Sequence, residues 1–167
     1  MSKTISEKME EHQEDIAKES EKVQELMTQT STGSDLMESS TVMASSDEMQ
    51  DLMGAIDDPQ ANEQDKFLMG KYMGQMLQTD PANGLMNYAN YLRDVAANPD
   101  YADRKVYFSS IAEAAVKLHK STVFQDYVVK YNAFEADESP EAEQTRRAME
   151  EMSEKMRQWI EGDEAVN

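Results

Sequence analysis

The sequence predicts an all-α protein, in which a central helical bundle carries amphipathic, heptad-like helices at its N- and C-terminal ends. Only six glycines and four prolines occur in 167 residues, whereas methionine, a flexible residue that favours helices, occurs 14 times. Apolar residues recur three and four positions apart along most of the chain, which is the period of an amphipathic α-helix. Hydrophobic residues make up 39% and charged residues 30%, a balance typical of a small core with long solvated helices.

Charge divides the chain into two acidic ends and a near-neutral centre. Residues 1–65 carry four Lys/Arg and seventeen Asp/Glu, residues 66–134 carry eight and six, and residues 135–167 carry four and eleven. Every aromatic residue except Trp159 lies in the centre. We therefore divide the chain into an acidic amphipathic helix (1–28), a Ser/Thr/Met-rich linker (29–46), the central helical bundle (47–134) and an acidic, Met-rich C-terminal helix (135–167).

The N-terminal segment has the spacing of a coiled-coil seam. Its seam positions alternate four and three residues apart, with His12 and Glu19 as two polar interruptions. Three heptads are marginal as an isolated helix in water, so this helix needs a partner to lie against. Its predicted protein-interface residues are Ile5, Met9, Ile16, Val23 and Leu26.

Residues 29–46 are predicted to be a linker because Ser and Thr dominate them. Ordering of this segment on binding a partner is the alternative, since it also contains Leu36, Met37, Val42 and Met43. A helix is predicted to begin after Ser46, whose hydroxyl would cap it, and to end before Pro59.

The next predicted helix, about residues 62–78, carries a broad methionine-rich face. We expect this face to pack in the core, with a partner-binding surface as the alternative, because methionine serves both uses. Gly70 and Gly74 are four residues apart, a spacing that would let a neighbouring helix approach closely, although this signal is established mainly for membrane helices. The face consists of Leu68, Met69, Tyr72, Met73, Met76 and Leu77.

Two further helical stretches complete the predicted centre. A turn at residues 79–84 leads to a helix that ends at residues 98–99. The following stretch extends to about residue 134, with a break predicted at residues 121–122. Its β-branched and aromatic run, residues 122–131, is predicted to be helical and not a strand because its apolar residues are three and four apart.

The C-terminal helix has a sharp predicted start, with Ser139 as the cap and Pro140 at the first position. Gly162 is predicted to end it. Its apolar line is as narrow as a coiled-coil seam, and its predicted protein-interface residues are Met149, Met152, Met156 and Trp159. The two terminal helices would then either pair with each other or each bind another subunit.

No residue pattern in the chain is typical of an enzyme. Cysteine is absent, which excludes disulfides and thiolate metal sites. The two histidines, His12 and His119, lack the spacing of a metal motif, and no phosphate-binding or nucleophile-elbow motif occurs. We therefore expect no catalytic activity, no cofactor, no metal and no small-molecule substrate.

The formal charge of −18 argues against nucleic acid as a partner, because a cationic footprint is missing. No stretch is long and apolar enough to span a bilayer, and the N-terminus lacks the apolar core of a signal peptide. We expect a protein that is cytoplasmic, exported by a signal-independent route or associated with a particle.

These observations favour a non-enzymatic, self-associating structural or assembly protein that acts through its terminal helices, for example a subunit of a filament, a secretion assembly or a virus particle. A homo-oligomer is the expected state. One alternative is an acidic chaperone or adaptor that holds an apolar helix of a partner in a Met-rich groove. A weaker alternative is an acidic inhibitor that covers a basic surface.

Overall fold

The computed structural model describes Glu7 and residues 13–166, and for Ile16 and residues 159–166 it describes the backbone alone. These residues form eight α-helices, one 3₁₀ helix and no strand, which confirms the predicted all-α class. The α-helices are α1 (Gln13–Met27), α2 (Ser31–Ala44), α3 (Asp47–Ile56), α4 (Glu63–Thr79), α5 (Gly84–Ala97), α6 (Lys105–Lys120), α7 (Thr122–Glu135) and α8 (Pro140–Val166); the 3₁₀ helix is Pro99–Arg104.

The chain forms two compact units. The terminal unit consists of Met1–Met37 and Ala133–Asn167, and the central unit consists of Glu38–Asn132. Helices α2 and α7 each contribute residues to both units. None of the described helices combines the length and the apolar character that a membrane crossing requires.

Helix α2 occupies most of the segment predicted to be a linker, so that prediction is wrong for these residues. Thr30 helps to start the helix, because its hydroxyl accepts a hydrogen bond from the backbone N–H of Gly33 at 2.9 Å. Three side chains of this segment, spaced three and four residues apart, are buried, and their burial outweighs the low helix propensity of Ser and Thr. The buried residues of α2 that carry this spacing are Leu36, Ser39 and Met43.

The other predicted helix starts agree with the structure. The Ser46 hydroxyl accepts a hydrogen bond from the Met49 N–H at 3.2 Å, and the Ser121 hydroxyl caps α7 at the predicted break. The C-terminal boundary differs, because α8 continues through Gly162 to Val166. Glycine is only a weak helix breaker, so its position near the end of the pattern was a poor stop signal.

The core of the central unit is built around α5 and α6, which pack against each other. Helix α3 packs on α6, and α4 packs on α5. The apolar residues of these helices are spaced by three and four, so each presents one continuous stripe to the core. The completely buried large side chains of this unit are Leu52, Leu85, Tyr88, Leu92, Ile111, Leu118 and Phe124.

Two buried tyrosines tie these helices together through their hydroxyl groups. Tyr88 of α5 donates to the Met69 carbonyl of α4 at 2.8 Å, and Tyr107 of α6 donates to the Ile56 carbonyl at the end of α3 at 2.7 Å. The second bond satisfies one of the carbonyls that a helix C-terminus leaves without an intrahelical partner. Burial raises the pKa of Tyr107 to about 12, which favours the neutral phenol that donates this hydrogen bond.

A partly buried ion pair fixes the 3₁₀ helix to the first turn of α4. Arg104 Nη1 lies 3.1 Å from both carboxylate oxygens of Asp65, and Asp65 is buried. The Arg104 guanidinium also stacks over the Tyr101 ring at 4.9 Å. Because one partner is buried, removing the other would leave an uncompensated charge, so the pair holds this junction in one arrangement.

The methionine-rich face of α4 is only partly enclosed. Met69 is buried, as expected for core packing, whereas the other five residues of the face are partly buried against the core. No atom lies within 4 Å of a Cβ built on Gly70 or Gly74. The close helix approach that their spacing suggested is therefore not made by the described residues.

Gly84, in contrast, is required by its surroundings. A Cβ at this position would lie 2.2 Å from the Met76 carbonyl oxygen, because α5 begins against the end of the α4 backbone. Gly84→Ala should therefore lower the free energy of unfolding by about 1–3 kcal/mol, as expected for an overpacked site.

Gly74→Ala is the matched control, since its side chain would enter open space. Because alanine is the better helix former, this variant should be stabilised by up to about 1 kcal/mol. Urea denaturation measures both changes. Equal stability of the Gly84→Ala variant and the wild type would contradict the close backbone contact.

Candidate functional site

The two terminal helices, α1 and α8, pack against each other within the chain. Two polar contacts define their direction. Glu19 of α1 pairs with Lys155 of α8, and Thr32, which follows α1, hydrogen-bonds Asp137, which precedes α8, so the end of α1 lies beside the start of α8. The pair is therefore antiparallel, and the two terminal helices contact each other within one chain.

The buried face near the start of α8 consists of small side chains. Helix α1 contributes buried Val23 and Met27, while the buried residues of α8 are Ala142, Thr145 and Ala148. Small residues allow two helices to approach closely. The Thr145 hydroxyl donates to the Glu141 carbonyl at 2.8 Å, so burial leaves this polar group satisfied.

Further along α8, methionines replace the small residues on the same face. At 100° per residue, Met149, Met152 and Met156 fall on the stripe that Ala142, Thr145 and Ala148 begin. All three methionines, and Leu26 on α1, are only partly buried. We name Leu26, Met149, Met152 and Met156 the open seam, because they continue the helix pair while remaining in contact with solvent.

The structure places the sequence-predicted interface residues unequally. Val23 is buried in the seam, and the four open-seam residues are partly buried beside it. Ile5 and Met9 lie outside the described residues, as do the side chains of Ile16 and Trp159.

The predicted set missed Met27 and the small residues Ala142, Thr145 and Ala148. Met27 could have been found from its position four residues after Val23. Ala148 lies three residues after Thr145, but alanine carries little hydrophobic signal in a sequence pattern.

Glu19, a polar interruption of the predicted seam, has a specific partner. Its carboxylate accepts a hydrogen bond from Lys155 Nζ at 2.5 Å. This hydrogen bond lowers the pKa of Glu19 and raises the pKa of Lys155. An ion pair exposed to solvent contributes little to stability, so its main effect is to select the antiparallel alignment.

Asp137 fixes the start of α8. Its carboxylate accepts hydrogen bonds from the Thr32 hydroxyl and, at 2.9 Å, from the Ser139 N–H. The hydrogen bond from Thr32 is the main cause of a lowered pKa at Asp137. The Ser139 hydroxyl caps α8 as predicted, accepting from the Ala142 N–H at 3.2 Å.

Arg146 anchors the first turns of α8 to the end of α7. Its Nη1 donates to the Phe134 carbonyl at 2.8 Å, and its guanidinium lies over the Phe134 ring at 5.5 Å. Phe134 is completely buried. The cation–π contact and the hydrogen bond together give this end of the helix pair a rigid base.

The charges that flank the seam are mixed. Gln13–Met27 carries two lysines and five acidic residues, and residues 140–158 carry four basic and five acidic residues. In sequence, the rest of the terminal unit carries two basic and ten acidic residues, so Gln13–Met27 and residues 140–158 account for the smaller part of its net negative charge. A second acidic surface is therefore not strongly repelled from the seam itself.

The described part of the chain contains no group of three or more His, Cys, Asp or Glu side chains that is arranged to hold a metal ion. Comparison with protein-family models, with curated proteins and with solved structures finds no match for this chain. The α1–α8 pair, on which the described predicted interface residues lie, is the candidate functional site.

The small buried face of α8 gives a direct test of this geometry. Ala142→Leu adds three carbon atoms at a completely buried position and should destabilise the terminal unit by about 1–3 kcal/mol. Gln144→Leu is the control, because residue 144 is exposed and a surface change should stay within about 0.5 kcal/mol. Urea denaturation followed by circular dichroism measures both. An unchanged Ala142→Leu variant would mean that α8 does not pack on this face.

Proposed function

We propose that this protein is a non-enzymatic helical subunit that associates with further copies of itself through its paired terminal helices. Its work would be structural: as a building element of a filament, a secretion assembly or a virus particle. The observation that carries the proposal is the open seam of Leu26, Met149, Met152 and Met156, an apolar line that two helices leave in contact with solvent.

Two antiparallel helices cannot bury all of their apolar side chains against each other. Each helix has a single narrow stripe, and contact with one partner covers only one side of that stripe. Four helices arranged around a common axis exclude water from the same stripes, which is why bundles of four are a stable architecture. Two helix pairs from two copies would form such a bundle.

A second copy suits the open seam better than a strongly basic partner does. The flanks carry both signs of charge, so opposite charges can face each other when the same surface meets itself about a twofold axis. A surface specialised for a basic partner would concentrate acidic residues along the seam. The acidic excess of this unit lies elsewhere in its sequence.

The free energy gained by burying the open seam is small compared with the cost of association, so we expect weak self-association. Complete burial of one Leu or Met side chain is worth about 1.5–3 kcal/mol, and a partly buried side chain has only a fraction of this left to gain. Association costs about 4–15 kcal/mol in lost translational and rotational freedom. The open seams of two copies therefore support assembly that depends on protein concentration.

A second candidate is the chaperone or adaptor function, and the α4 face favours it. Tyr72 of α4 meets Tyr91 of α5 edge to face at 6.0 Å, and Tyr91 is 42% exposed. Partly buried Met73 and Met76 lie on the same face of α4. A chaperone would remain monomeric and bind an apolar helical peptide on this face, whereas an assembly subunit would associate without a client.

Met152→Lys tests the proposed function. The substitution places a charge in the centre of the open seam, and burying an unpaired charge on association is costly. We expect the dissociation constant to rise by about tenfold or more, which corresponds to about 1.4 kcal/mol. Sedimentation equilibrium over a concentration series measures the change, and circular dichroism checks that the helices remain.

Met53→Lys is the matched control, since Met53 is 46% exposed on α3 of the central unit and plays no part in the seam. It should associate like the wild type. A wild type that stays monomeric at all concentrations would refute the proposal, as would equal effects of the two lysine substitutions.

A further inference from the structure

All the sulfur atoms of this chain belong to methionine side chains. The chain has 14 methionines and no cysteine, so mild oxidation of sulfur must act on thioethers. The methionines differ in access to solvent. Met27, Met43 and Met69 are buried, Met149, Met152 and Met156 are partly exposed, and Met53 is exposed.

We propose that Met149, Met152 and Met156 form an oxidation-sensitive modification site, at which conversion to the sulfoxide weakens self-association. This inference rests on the proposed function, because it concerns regulation of the same open seam. The oxidant is a peroxide, which reaches partly exposed sulfur atoms of the unassembled chain.

The step balances without any group from the protein. The thioether sulfur attacks one peroxide oxygen, the O–O bond breaks and an S–O bond forms. The sulfur loses two electrons, the transferred oxygen gives up its proton to solvent, and the second peroxide oxygen takes up a proton from solvent and leaves as water. Methionine sulfoxide reductases reverse the modification, so it can act as a switch.

The position of the three methionines makes them both accessible and consequential. Each lies on the stripe that faces α1, so a sulfoxide there introduces a polar group into an apolar contact. Met27 also belongs to the seam, but it is buried and therefore shielded from the reagent. Exposed Met53 is accessible, but its side chain leaves the seam unchanged when oxidised.

Self-association should protect the open-seam methionines from oxidation. If two copies cover the open seam, the three methionines become less accessible as the protein concentration rises. The rate of their oxidation should then fall with concentration, while the rate at Met53 stays constant. This relation separates modification of the seam from unspecific oxidation.

The experiment treats the full chain with hydrogen peroxide at a concentration where it is monomeric and at one where it is associated. Peptide mass spectrometry follows each methionine, and sedimentation equilibrium follows association. We expect Met149, Met152 and Met156 to oxidise several-fold faster than Met27, Met43 and Met69 in the dilute sample. The oxidised chain should associate about tenfold more weakly, and reductase treatment should restore it.

Two variants make the result specific. The triple variant M149L/M152L/M156L keeps an apolar seam without sulfur and should retain its association after peroxide treatment. Met53→Leu should remain as sensitive as the wild type. Loss of association in the peroxide-treated triple variant would overturn the inference, because the responsible sulfur would lie elsewhere.

Failure of this inference is distinguishable from failure of the proposed function. An untreated chain that never associates refutes the proposed function, and with it the inference. An untreated chain that associates normally, and still associates after its seam methionines are fully oxidised, overturns the inference alone. Oxidation of the seam at the rate of the buried methionines has the same consequence.

Discussion

The terminal unit depends on one constraint: neither α1 nor α8 can bury its apolar stripe alone. Both helices carry long solvated surfaces and a single narrow line of apolar residues, so each is marginal as an isolated helix. Contact between Val23 and Met27 on one side and the small face of α8 on the other satisfies only part of this need. The open seam is what remains, and both proposals for this protein follow from it.

Polar residues determine which arrangement the apolar stripes adopt. Apolar contact between two helices is compatible with parallel and antiparallel pairing and with shifted registers. Glu19 pairs with Lys155 in the antiparallel alignment, and Asp137 holds the beginning of α8 beside Thr32. In the central unit, Tyr88, Tyr107 and the Asp65–Arg104 pair have the same role. Specific hydrogen bonds thus select one geometry from several that hydrophobic burial would permit.

The sequence predicted the class of fold and most helix boundaries, because these follow from local spacing and capping residues. It failed where tertiary contacts override composition. Burial of Leu36, Ser39 and Met43 makes α2 a helix within a Ser/Thr-rich segment. The space beside Gly70 and Gly74 is open, so two glycines four residues apart allow a second helix to come close but do not ensure that one does. Ala148 was not predicted because an alanine adds little to a hydrophobic pattern. The Glu19–Lys155 pair was not predicted because the two residues are far apart in the sequence, and spacing rules apply only to neighbouring residues.

Amide hydrogen exchange as a function of protein concentration tests the central claim most directly, namely that the α1–α8 pair binds a second copy. Exchange reports the free energy of local opening for each segment separately. The account predicts that protection rises with concentration in α1 and α8, while protection in α5 and α6 stays constant. Protection that does not depend on concentration anywhere, or that rises in the central helices instead, would contradict it.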